Sequence, residues 1–411
     1  MSKKLTECRN CKCNIFLDLF SLGKLSFSGK FAESQNENIP KDFINLIICK
    51  KCKLVQLDRN FNPKYLYGKD YGYRSGINKT MTNHLHETAI KIEKLARLRS
   101  GDCVIDIASN DGTLLNGYKK NLVLVGIDPI INKFSQYYKK NSYLVNNFFN
   151  AKSILKLNLK KKIKAITALS VFYDLKDPNK FLKDISVLID KKSGIFLLEH
   201  ADLYSIIKYN LFDTLCHEHL EYYSTKIILE MAKKNNLKII DIERNNINGG
   251  STRFYMCHQQ SSYIVKKKKI KNFLTQEKRL NLESVETYKV FFLKIKKIRI
   301  KLKNILHKLH NKKKIIHGYG ASTKGNILLQ FYGINNKLIK YISDRNLEKN
   351  GKFTPGTKIK IITEEKSRNL MPNHYLVLPW HFRKEILLRE RKLLKKKTYF
   401  IFPLPKVEIT K

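Results

Sequence analysis

Short apolar runs alternate with segments of helical apolar spacing along most of the chain. Residues 103–108, 122–127, 165–170, 195–199 and 237–242 are compact runs rich in Val, Ile, Leu and Ala. Helical stretches separate them, so they are predicted to be strands of a mainly parallel, doubly wound sheet. Ahead of them, Leu85, Ala89, Ile90, Ile92 and Leu95 recur at helical spacing and predict a helix over 81–98. A second α/β unit follows, with strands predicted at 314–318, 338–343, 375–378 and 399–401 and helices at 324–332 and near 384–394. Between the units, residues 263–312 carry apolar positions at helical intervals among many lysines and contain neither Pro nor Gly. One or two long linking helices are predicted there, presenting mainly a solvated basic face. Residues 1–60 show little that reads as long regular structure. The pattern divides the chain into 1–78, 79–262 and 263–411, an α/β protein with a small N-terminal unit.

Charge changes this picture only slightly. The 411 residues hold 80 Lys+Arg against 35 Asp+Glu, a formal charge of +45. The excess is dispersed, mostly Lys, and accompanied by abundant Ile and Asn, as codon bias from an AT-rich genome produces. A nucleic-acid reader would cluster the charge in a stripe beside a recognition motif, so no nucleic-acid partner is expected. An anionic partner such as a diphosphate remains compatible. No stretch approaches the roughly 20 apolar residues that span a bilayer, and no signal-like start is present. A soluble, cytoplasmic protein without membrane insertion is expected.

Four of the eight cysteines form two tight pairs, Cys8-x2-Cys11 and Cys49-x2-Cys52. Each pair can present two thiolates from one turn, and four thiolates close a zinc tetrahedron. With no open position, that zinc is structural.

Two loops have the layout of nucleotide sites. Asp106-Ile-Ala-Ser-Asn-Asp-Gly112 follows a predicted strand and opens a helix, and Asp128 ends the next strand, where an acidic residue commonly bonds ribose hydroxyls. Gly112 would let the backbone approach a ligand. Asp106, Asn110 and Asp111 disfavour a pyrophosphate and suit a cationic ligand such as S-adenosylmethionine. Gly318-Tyr-Gly-Ala-Ser322 repeats the layout with Asp344, but Ser322, Thr323 and Lys324 open its helix and suit a phosphate. The second loop also supports an alternative reading, a nicotinamide-dependent oxidoreductase. The densest titratable cluster is Phe212-Asp-Thr-Leu-Cys-His-Glu-His-Leu-Glu-Tyr-Tyr-Ser224. Imidazole beside carboxylate performs general-base chemistry near neutral pH. If the segment were extended, His217 and His219 would share a face opposite Glu218. A metal site and a structural His pair are the other readings.

Taken together these motifs resemble the sugar C-methyltransferases of deoxysugar biosynthesis. The resemblance is essentially full length. It adds Tyr71-Gly-Tyr73, Gly126-Ile-Asp-Pro129, Asn147-Phe-Phe149, Phe172-Tyr-Asp-Leu-Lys-Asp-Pro178, Asn248-Gly-Gly250 and Gly318-Tyr-Gly-Ala-Ser-Thr-Lys-Gly325 to the motifs above. It implies a zinc-binding N-terminal domain, a class I S-adenosylmethionine domain and a Rossmann-like C-terminal domain. It implies cofactor contacts from Asp106, Ser109, Asn110, Asp111, Gly112, Asp128, Asn147, Phe148 and Ser170. It implies a base at His219 with Glu218 beside it, and Tyr71 or Tyr73 positioning the sugar. His217, Tyr223, Asn248, Ser322 and Lys324 would complete the site for a nucleotide-diphosphate sugar, and the oligomeric state stays open, a monomer included. The implied reaction is removal of a proton α to a ketone, at C-3 of a 4-keto-deoxyhexose, and methylation of that carbon. Three positions depart from the family pattern: Ala108 replaces a Gly, Cys216 a Tyr and Asp174 a His.

Overall fold

The computed structural model describes residues 2–62, 66, 73–396 and 398–410. At its centre lies a seven-stranded sheet. In spatial order its strands are Leu237–Asn245, Ser251–His258, Ile195–Ala201, Ile163–Leu169, Cys103–Ile107, Val123–Ile127 and Tyr143–Val145. The last five are parallel, while Ser251–His258 runs antiparallel to both neighbours. Successive residues of each strand point to opposite faces. Val104, Leu124, Ala165 and Leu197 therefore pack with Met81, Leu85 and Ala89 of the helix Lys79–Leu95. Ile105, Val125, Ile166 and Leu198 pack with Phe181, Leu182 and Ile185 of the helix Pro178–Leu188. Both faces are covered, which is why these strands read as continuous apolar runs.

The chain leaves Cys103–Ile107 toward one edge and returns on its other side at Ile163–Leu169. The crossover direction reverses there, which opens a crevice at the carboxyl ends of these two strands. Ser251–His258 and Tyr143–Val145 were not predicted. The first carries Arg253, whose buried guanidinium donates to Glu199 at 2.6 Å; the second has three residues at the sheet edge.

A six-stranded sheet forms the C-terminal part, in the order Lys360–Thr363, Tyr341–Asp344, Ile316–Tyr319, His374–Val377, Tyr399–Phe402 and Glu408–Thr410. Its first five strands are parallel and its last antiparallel. The helix predicted near 384–394 is two, Arg383–Arg389 and Arg391–Lys395.

The N-terminal part departs most from expectation. Phe16–Ser26 and Lys41–Cys49 are long antiparallel strands. Register shifts between Asp18 and Phe20 and between Ser21 and Lys24 break the period-two pattern, so the alternation is illegible in sequence. Val55–Leu57 is the third strand, and Glu221–Tyr222 joins as the fourth. The segment after His219 is thus part of the N-terminal sheet.

The linking segment forms helices Lys267–Leu280 and Val285–Asn311. The longer one is not simply a solvated basic face. Tyr288, Phe291, Ile295, Leu302 and Leu306 are buried along one stripe, and Phe20 of the N-terminal sheet packs on Phe291 and Phe292 at 5.7 and 4.9 Å.

Candidate active site and zinc centre

The sulfur atoms of Cys8, Cys11, Cys49 and Cys52 all lie within 4.8 Å of one another. Cys8 and Cys52 are 3.6 Å apart and Cys11 and Cys49 3.5 Å. Zinc–sulfur bonds of about 2.3 Å in a tetrahedron place sulfurs about 3.8 Å apart, so the cage fits zinc. The two knuckles repeat one backbone turn: Lys12 and Lys53 donate to the carbonyls of Cys8 and Cys49 at 3.0 Å, with φ of +62° and +63°. Gln56 Nε2 donates to Cys8 Sγ at 3.2 Å. Buried Arg9 ties this centre to the cluster around His219. Its guanidinium donates to the carbonyls of Leu57, Arg59 and Leu220 and lies 3.5 Å from Glu221.

The first nucleotide-type loop sits at the carboxyl end of Cys103–Ile107. Asp106 accepts from Thr167 Oγ1 at 2.6 Å, and burial raises its carboxyl to about 7. Asp128 accepts from the backbone N–H groups of Asn110 and Ile130 at 3.1 and 2.9 Å, and burial raises it too. Asp111 accepts from Thr113 Oγ1 and from the N–H of Gly76, with Arg74 only at 4.0 Å. Three carboxylates thus crowd one loop, and the two raised ones lack an ion pair among the described residues. That donor set suits a cation bearing ribose hydroxyls, which fits S-adenosylmethionine. Ala108 and Asn110 adopt φ of +56° and +51°, a conformation costing a non-glycine residue about 1 kcal/mol or more. Gly112 is also left-handed, at φ +72°, but a Cβ there would meet the Tyr138 ring at 2.7 Å. Its missing side chain makes room for Tyr138. Tyr138 OH in turn contacts Ser109 Oγ at 2.7 Å and donates to the Asn110 carbonyl.

Asn147 and Phe148 follow the edge strand beyond Val145, whose carbonyl accepts from the N–H of Asp128 at 3.1 Å. Phe148 is half exposed. Ser170, at φ +57°, ends Ile163–Leu169 beside the crevice. Tyr73 is exposed, and its carbonyl accepts from Asn110 Nδ2 at 3.1 Å. Tyr71 lies outside the described residues.

The His–Glu cluster is not extended. The N–H of His219 donates to the carbonyl of Cys216 at 3.2 Å, closing a turn that sends the two imidazoles apart. His217 packs edge-on against Phe27 and Phe61 and donates from Nε2 to the Asp42 carbonyl, and burial lowers it to about 4. Tyr223 is equally interior, against Phe172 and His200. The structure therefore places neither beside His219, which corrects the shared face expected for the two His residues. Glu218 is buried, accepts from Ser28 Oγ at 3.4 Å, and burial raises it.

His219 Nδ1 lies 2.7 Å from the Thr214 carbonyl. A carbonyl only accepts, so Nδ1 carries the hydrogen and Nε2 keeps its lone pair. Tyr173 covers the ring at a 4.0 Å centroid distance. Burial, then the charge of Lys324, lowers His219 to about 3, so the imidazole is neutral.

The second loop differs. The N–H of Ala321 donates to Asp344 at 2.7 Å, Lys349 donates to the Ala321 carbonyl at 2.8 Å, and a Cβ on Gly320 would meet Pro379 at 2.6 Å. Ser322 caps its helix by accepting from the N–H of Gly325 at 3.0 Å. Lys324 turns away from this loop, donating to the Asn248 carbonyl at 2.7 Å. Asn248 Nδ2 lies 3.4 Å from Ser170 Oγ. The C-terminal part thus closes over the crevice, and Trp380 Nε1 donates to Asp213 at 2.8 Å beside Thr214. Tyr173 belongs to the Phe172–Pro178 motif, with no role expected of its own, and none was expected for Thr214, Asp213 or Trp380. Asp213 and Thr214 stood within the titratable cluster, whereas the single Trp carried no motif.

Three family models match the chain. "Putative zinc binding domain" covers residues 8–67, "Methyltransferase domain" 81–242 and "C-methyltransferase C-terminal domain" 246–405. The chain is similar to the C-methyltransferase NovU of Streptomyces niveus, 24% identical over 411 residues spanning 99% of this chain and 97% of that protein. A solved S-adenosylmethionine-dependent methyltransferase of Clostridium acetobutylicum is 16% identical, over 43% of this chain and 92% of its own, with a TM-score of 0.34. Magnesium protoporphyrin IX methyltransferase of Synechocystis with bound SAH is 13% identical, over 44% and 88%, also at 0.34. The zinc cage, the acidic cofactor loop at the switch point and the three matched domains in order identify the chain as a member of the S-adenosylmethionine-dependent C-methyltransferases, an enzyme with a class I methyltransferase fold between a zinc-binding N-terminal domain and a Rossmann-like C-terminal domain.

Proposed function

We propose that this C-methyltransferase acts on a nucleotide-linked 4-keto-deoxyhexose and methylates the carbon α to the ketone, C-3. The division into 1–78, 79–262 and 263–411 is part of this reading. The observation that carries it is His219: a neutral imidazole under the Tyr173 ring, with Nδ1–H held by the Thr214 carbonyl so that Nε2 keeps its lone pair. A fixed tautomer at a half-buried position is what a general base at carbon requires. S-adenosylmethionine, when bound, supplies an electrophilic sulfonium methyl. Asp106, Ser109, Asn110, Asp111, Gly112 and Asp128 form the loop that would hold it, with Asn147, Phe148 and Ser170 at its margins. His219 takes the C-3 proton, Glu218 supports the turn that carries it, and Tyr71 or Tyr73 positions the sugar. The structural zinc, through Arg9 and Glu221, holds the segment bearing His219.

The Gly318-Tyr-Gly-Ala-Ser322 loop does not favour the oxidoreductase alternative, since Lys349 and Pro379 occupy its surroundings. The decisive measurement is mass spectrometry after incubation with S-adenosylmethionine and a panel of nucleotide 4-keto-sugars. A gain of one CH2 on one of them is expected. His219→Ala should abolish exchange of the C-3 proton with solvent while leaving S-adenosylmethionine affinity intact. Retained exchange would remove His219 from the role of base.

A further inference from the structure

Removing a proton α to a ketone pushes negative charge onto the ketone oxygen, and an unassisted enolate is too unstable to form quickly. A positioned donor facing that oxygen is the largest stabilising device available to such a site.

Lys324 begins in the C-terminal part, in the helix Thr323–Tyr332, but reaches the methyltransferase crevice. Its Nζ donates to the Asn248 carbonyl at 2.7 Å, and Asn248 in turn reaches Ser170 at the end of the switch strand. Among the described residues this carbonyl is its one hydrogen-bond acceptor, which leaves two N–H donors uncommitted. Among them, too, it has no carboxylate within 4 Å, and nearby Asp213 is bonded to Trp380. A partly buried cation whose nearest carboxylate, Asp213, makes no ion pair within 4 Å is costly unless a ligand brings an anion into contact. The electrostatics agree. The charge of Lys324 reaches Asp213, Cys216, His219 and His381, and burial lowers the ammonium itself.

We propose that Lys324 is the enolate-binding donor, its ammonium hydrogen-bonding the ketone oxygen of the substrate while His219 takes the proton from the adjacent carbon. This rests on the ketone substrate proposed above. In the step, the C–H bond breaks and its proton goes to His219 Nε2. The C–H electron pair becomes the C=C bond, and the carbonyl π pair moves to oxygen. Lys324 keeps its three protons, and nothing is oxidised or reduced. The arrangement also couples the two groups. With no ketone present, Lys324 opposes a charged His219. As the oxyanion forms beside Lys324, it offsets that charge and makes the imidazole a stronger base at the moment of transfer.

The test uses the full-length protein with a nucleotide-linked 4-keto-sugar in D2O, with S-adenosylhomocysteine in place of the methyl donor. Deuterium incorporation at C-3 is followed by NMR. Lys324→Met should slow exchange by about 10²–10³-fold, the range for loss of one oxyanion donor. Lys324→Arg should restore part of the rate. S-adenosylmethionine Kd should stay within about 3-fold of wild type in both variants, which also reports that they are folded. Exchange at the wild-type rate in Lys324→Met, or a defect confined to the sugar KM, overturns the assignment and leaves Lys324 a binding residue only. Absence of exchange in the wild-type protein overturns the ketone reading, and the proposal with it.

Discussion

The two strand–turn–helix loops of this chain share one backbone device and differ in what surrounds it. In each, an Asp at the end of the next strand accepts two backbone N–H groups. Asp128 takes those of Asn110 and Ile130; Asp344 takes those of Ala321 and Asn346. Around Asp128 stand Asp106 and Asp111, with negative charge that burial makes costly and that, among the described residues, only Arg74 meets, 4.0 Å from Asp111. Around Asp344 stands Lys349 at 3.7 Å, and Pro379 fills the space over Gly320. The first loop is left with charge for a ligand to neutralise. The second is neutralised and filled from within. A motif of this kind is a folding unit first, and its side-chain surroundings decide whether it binds.

The largest effect separating the loops should come from the paired substitutions Asp128→Ala and Asp344→Ala. Loss of a charged hydrogen-bond acceptor is worth about 1.5–3 kcal/mol, so Asp128→Ala should raise the S-adenosylmethionine Kd by about 10–100-fold in calorimetric titration. Asp344→Ala should leave it unchanged, and NAD should show no saturable binding to the wild type; equal effects of the two substitutions, or NAD binding at the second loop, would break the contrast. A smaller effect concerns pH. Burial raises Asp106 to about 7, so below that pH it is mostly protonated and above it mostly anionic. A cation prefers the anion, so S-adenosylmethionine affinity should rise as pH climbs through about 7, and Asp106→Asn should flatten that slope. An unaltered slope in the variant would assign the titration to another group. The smallest effect is at Ser322, whose hydroxyl caps a helix. Ser322→Ala should cost about 1 kcal/mol of stability in denaturant melts without altering cofactor affinity; a changed sugar KM would instead return Ser322 to the substrate site.

Much of the fold was legible because it is locally encoded. The central strands are apolar runs since both faces of their sheet are covered, and the helix Lys79–Leu95 shows its buried stripe directly. The N-terminal strands were not legible, because bulges erase their alternation. His217 and His219 illustrate the same limit at the site. Their spacing suggested a shared face, but a turn from Cys216 to His219 separates them.

What the sequence determined by itself is the chemistry that fits within one turn or one strand–turn–helix unit. Cys-x2-Cys twice over dictates a thiolate cage, because a single tight turn sets the distance between paired ligands. The acidic loop followed by Asp128 announces a cationic ligand, because strand length and helix start place those residues together. Tertiary structure alone decided which distant groups meet them. Glu221 joins the zinc sheet, Trp380 reaches Asp213, and Lys324 crosses to Asn248, 76 residues away in the chain. Such contacts depend on how whole sheets pack, and no local periodicity records them. Hence the same Lys324 reads as a phosphate ligand in its own loop and, once folded, bonds Asn248 with its charge reaching the neutral imidazole of His219.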